Sequence, residues 1–132
     1  MSTEFLSAEQ ILNRVYDEET GTLKTSEVSE VKKYVALLTQ TGTNAPVVTV
    51  LENTLGEIVW SRFGAGVYKG TLNNAFPQNK TVLFTQNNSE ASNFYLALWL
   101  DLNTVIVEVI NAGADSIDDT LFNTPVEIRV YP

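Results

Sequence analysis

The side chains best suited to acid–base and nucleophilic work at neutral pH are missing: the 132 residues include no histidine and no cysteine. Lack of cysteine removes disulfides, thiolate chemistry and ordinary structural zinc. Lack of histidine removes the one side chain whose unshifted pKa lies near neutrality. A nucleophile would then need serine or threonine beside lysine, and hydrolysis of a glycan would need two paired carboxylates. Ser61 and Lys69 fall in neighbouring expected strands without a supporting motif. Glu52, Glu57, Asp101, Glu108 and Glu127 lie in or beside expected strands, and no pair is marked as flanking a cleft. No catalytic residue is assigned and no cofactor is expected, so the chain reads as a non-enzyme.

Three other constellations have chemical potential. Asp115, Asp118 and Asp119 put three carboxylates within five residues, oxygen ligands of the kind calcium takes, but the EF-hand spacing is absent and a solvated loop is the expectation. Gly64-Ala65-Gly66, with Gly70 beyond, has the glycine content of a phosphate loop. Such loops lead into a helix N-terminus, whereas Val67 to Leu72 reads as a strand, so a hairpin turn is expected. Trp60, Tyr68 and Trp99, with Tyr34, Tyr95, Phe63 and Phe94, are aromatic enough to stack on sugars, which makes a carbohydrate-binding module the alternative function. Aromatic residues at strand positions more often fill a β core, and core or subunit interface is the expected place for both tryptophans.

The elements that would position these residues are strands. The size is that of one domain, and 44% hydrophobic against 18% charged residues is a globular balance. From Lys32 onward eight strands are expected, at 32–40, 46–52, 57–63, 66–72, 80–86, 93–101, 104–111 and 125–131. Several alternate with period two: Val126, Ile128 and Val130 oppose Glu127, Arg129 and Tyr131. Over 93–101 both faces are mostly apolar, which predicts a central strand covered on both sides. Glycine- and asparagine-bearing turns at 53–56, 64–66 and 101–103 separate neighbours. The fold class is therefore mostly β, an antiparallel sandwich of about eight strands, jelly-roll-like. Pro46 and Pro125 are expected at strand starts, and the prolines, Lys32, Lys33 and Arg129 are expected to blunt outer strands against edge pairing.

Residues 1–31 differ in character, with seven acids against Arg14 and Lys24, and they form a separate segment before a β domain at 32–132. Ser7 as N-cap and Gln10 three residues on predict a short helix, with Ile11, Leu12, Val15 and Tyr16 along one apolar stripe. Such a helix is too short to stand alone in water, so its stripe is expected to dock on the domain or on another subunit. The net charge of −8 repels phosphate backbones and anionic lipid, so neither nucleic acid nor membrane is expected as a partner. Met1 to Leu6 has no basic region followed by an apolar run, so no signal peptide is expected.

The phrase from Tyr16 to Lys24, with its Tyr-Asp-x-x-Thr-Gly-x-Leu core, resembles one common in tailed-phage structural proteins. The stretches from Tyr34 to Gly56 and from Gly66 to Leu72 resemble a small β module of uncharacterised phage and marine or Bacteroidetes-type environmental proteins. These phrases cover less than half of the chain. The resemblance implies a virion-associated structural domain, found in the virion if phage-derived and otherwise in the cytoplasm. It implies a homo-oligomer, a trimer by preference, with other virion proteins or a surface glycan as further partners.

Overall fold

The computed structural model describes Tyr16–Asp17, Thr22–Leu23 and residues 30–86 and 92–132. The chain divides into two units, Met1–Glu30 and Val31–Pro132. In the first, β1 (Tyr16–Asp17) pairs antiparallel with β2 (Thr22–Leu23), Tyr16 standing opposite Leu23. Tyr16, expected on the helix stripe, is thus a strand residue, in keeping with the preference of Tyr and Thr for extended backbone. Ile11, Leu12 and Val15, and the rest of the expected helix, lie outside the described residues.

The second unit contains β3 (Lys32–Thr39), β4 (Val47–Asn53), β5 (Val59–Gly64), β6 (Val67–Thr71), β7 (Thr81–Thr85), β8 (Phe94–Asp101), β9 (Thr104–Ile110) and β10 (Thr124–Val130). Each lies within two residues of an expected strand at either end. They form two antiparallel four-stranded sheets, in the orders β4-β3-β10-β7 and β5-β6-β9-β8. Tyr34, Ala36 and Leu38 of β3 and Val126, Ile128 and Val130 of β10 share one core with Trp60, Tyr68, Val105, Val107 and Val109 of the other sheet. The architecture is sandwich-like. No helix among the described residues is long and apolar enough to cross a membrane.

The strand order departs from a jelly roll, in which a long hairpin is rolled up and first-half strands pair with their mirror strands in the second half. Only β3–β10 is such a pair. Tight turns instead let β5–β6 and β8–β9 pair as local hairpins, and the longer loop at 40–46 joins β3 to its neighbour β4. β8 is also not central. It is an edge strand, and its Phe94, Leu96, Leu98 and Leu100 are exposed. β10, expected to have a guarded edge, is an inner strand between β3 and β7. Pro125 is tolerated there because the β7 pairing begins one residue later, at Val126–Thr85.

Between β9 and β10 the chain folds back on β9. Asn111 N–H donates to Asp115 O at 2.8 Å and Ile117 N–H to Val109 O at 3.1 Å. The loop then crosses to the other sheet, where Gln40 N–H donates to Leu121 O at 3.0 Å. Leu121 itself is buried in the core.

Candidate functional site

Asp118 lies in that loop and gathers groups from the β5–β6 hairpin. The Arg62 guanidinium of β5 donates to it through Nη2 at 2.8 Å and Nε at 3.2 Å, the bidentate geometry that a planar fork favours. Gly66 N–H, from the β5–β6 turn, donates to Oδ1 at 2.9 Å, and the Tyr68 hydroxyl donates to the same oxygen at 2.8 Å. Tyr68 Oη also lies 2.7 Å from Gln40 Oε1. The orientation of Gln40 is fixed because its Nε2 donates to Gly42 O at 2.8 Å and Asn44 O at 3.1 Å. Gln40 Oε1 also accepts from Asp119 N–H at 2.9 Å. Asp119 in turn accepts from Gly42 N–H.

The hydrogen bonds from Arg62 hold the Asp118 carboxyl down at about 2, helped by Gly66 N–H and the Tyr68 hydroxyl and opposed by burial. Burial pushes the Tyr68 phenol upward, and Asp118 adds to that push as hydrogen-bond partner and as charge. A phenol so hard to ionise keeps its proton and serves as a hydrogen-bond donor, and a carboxylate with these donors already in place is a poor metal ligand. This arrangement is a clasp between the two sheets.

The sequence-derived candidates separate accordingly. Asp118 and Asp119 are taken up by the clasp, and Asp115 is exposed. No group of three or more acidic residues placed to hold a metal occurs among the described residues. The glycine pair does bind an anion through a backbone N–H, but the anion is the chain's own Asp118. Trp60 and Tyr68 are 7% and 0% exposed, so they are core residues and not a sugar platform. Trp60 Nε1 donates to Tyr34 Oη at 3.1 Å within that core. Trp99 is partly buried against the core and its indole N–H donates to Phe76 O at 2.8 Å. Ser61 and Lys69 are direct register partners across β5 and β6, but the ammonium stands over the Phe63 ring, 4.0 Å from its centroid.

The reading by residue type missed Gln40, Arg62 and the outer face of the second sheet. Register makes that face a continuous surface. One row runs Ser61, Lys69, Ile106, Leu98, and the next runs Val67, Glu108, Leu96. Phe94 (55% exposed), Leu98 (42%), Leu100 and Phe63 line it in solvent. The signal was present in the doubly apolar pattern of 93–101, which predicted cover on both faces. Within one chain only one face is covered. Comparison of the chain with protein-family models, curated proteins and solved structures gives no match.

Proposed function

We propose that the protein is a non-enzymatic structural or assembly component that works as a homo-oligomer, of the virion-associated kind implied by the phrases at 16–24, 34–56 and 66–72. The observation that supports this reading is the outward row Phe94, Leu96, Leu98 and Leu100 on the edge strand β8. Large contiguous apolar patches on soluble domains mark interaction surfaces, and a long apolar edge strand invites pairing unless another chain covers it. Each of these half-exposed side chains stands to contribute on the order of 1 kcal/mol when withdrawn from water. The assembly surface proposed here is the sheet face.

The test is sedimentation of the full chain at micromolar concentration. The wild type is expected to sediment as an oligomer, and Leu98→Asp as a monomer with an unchanged β-type circular dichroism spectrum. A wild type that is monomeric throughout that range overturns the reading.

A further inference from the structure

The outer face of β5-β6-β9-β8 contains one cation and one anion near its middle, Lys69 on β6 and Glu108 on β9. Register sets Lys69 opposite Ile106 and Glu108 opposite Val67, so the two charges are diagonal neighbours on adjacent strands. They do not pair with each other. The Lys69 ammonium lies over the Phe63 ring, and the Glu108 carboxylate accepts from the Ser116 hydroxyl at 2.9 Å. The ion pairs among the described residues are Arg62–Asp118 and Arg129–Glu127. Both Lys69 and Glu108 are partly buried, and their row neighbours are Ile106, Leu98, Val67 and Leu96.

We propose that this face binds a second copy of the chain across a two-fold axis, with Lys69 of each subunit paired to the partner's Glu108. This rests on the assembly reading above and adds the occupant, the symmetry and the register. Charge complementarity selects the occupant. A chain with net charge −8 repels its own copies over most approaches. The middle of this face is neutral, and its two opposite charges have no ionic partner among the described residues. Covering the face with an apolar surface would strand both charges in a dry interface, which is strongly unfavourable. A two-fold operation turns the surface onto itself so that each residue meets the other's counterpart, and both charges are satisfied at once. On the outer face of the other sheet Glu127 and Arg129 already pair within the chain. Two apposed sheet faces give a closed dimer, not a trimer.

The experiment uses full-length Lys69→Glu and Glu108→Lys, each checked for wild-type circular dichroism, in sedimentation equilibrium. Each variant alone brings like charges together across the axis and is expected to dissociate at least tenfold more readily than wild type. An equimolar mixture of the two is expected to restore the dimer, because every cross-axis contact is then a Lys–Glu pair. Restoration on mixing cannot come from a pair within one chain. If both single variants dimerise as well as wild type, or the mixture stays monomeric, the pairing is overturned. If Leu98→Asp still abolishes assembly in that case, the face is used in another register and the assembly reading survives. A monomeric wild type overturns both.

Discussion

The single proton of the Tyr68 hydroxyl serves two acceptors, Gln40 Oε1 and Asp118 Oδ1, and this shows how tightly the clasp is specified. Its backbone member is Gly66, at φ 66°, where an added Cβ would meet Ile117 N at 2.4 Å and Val109 O at 2.8 Å. Backbone atoms cannot yield as a flexible side chain would, so Gly66→Ala is expected to cost about 2–4 kcal/mol, read as a lower midpoint in urea. A midpoint within error of wild type would show that the β5–β6 turn can move away from the loop. Asp118 gives a pH signature. Its folded pKa lies below its unfolded value, so its contribution is complete above about pH 4 and is lost as pH falls towards about 2. The part of the pair open to water is screened, which reduces that contribution to on the order of 1 kcal/mol. Asp118→Asn is expected to be less stable at neutral pH and to lose less stability than wild type between pH 4 and 2. Parallel acid limbs for the two proteins would contradict the assigned role.

At the scale of elements, strand positions were legible because period-two alternation and turn residues are local signals. Asn53 shows the turn chemistry, its Oδ1 accepting from Leu55 and Gly56 N–H at 2.9 Å each. Strand neighbours were not legible. β8 was read as central because both of its faces are apolar, yet β9 is central, with Val105, Val107 and Val109 nearly fully buried. The two strands make a paired prediction. Val107→Ala is expected to cost about 2 kcal/mol in thermal or urea unfolding, since it opens a cavity between the sheets. Leu98→Asp, on the outer face, is expected to change monomer stability by only about 1 kcal/mol while removing self-association. The reverse ranking would mean that the outer face of β8 is packed within its own chain.

For the whole molecule, the long-range pairing of β3 with β10 joins the two ends of the Val31–Pro132 unit. Closing so large a loop before it is rewarded by contacts slows folding, and the expected range is milliseconds to seconds. Stopped-flow refolding followed by Trp60, which becomes buried only when the sheets meet, is the measurement; complete recovery within tens of microseconds would contradict this topology. By itself the sequence determined the β class, the eight strand segments, the hairpin turn at Gly64–Gly66 and the exclusion of histidine and cysteine chemistry. These follow from composition and from patterns shorter than one hairpin. Only the tertiary structure decided that the tryptophans and Tyr68 turn inward, that Asp118 is clasped by Arg62, and which apolar face is left in water. Each depends on pairing between residues tens of positions apart, and the period-two pattern of a strand says that it has two faces without saying what lies against either.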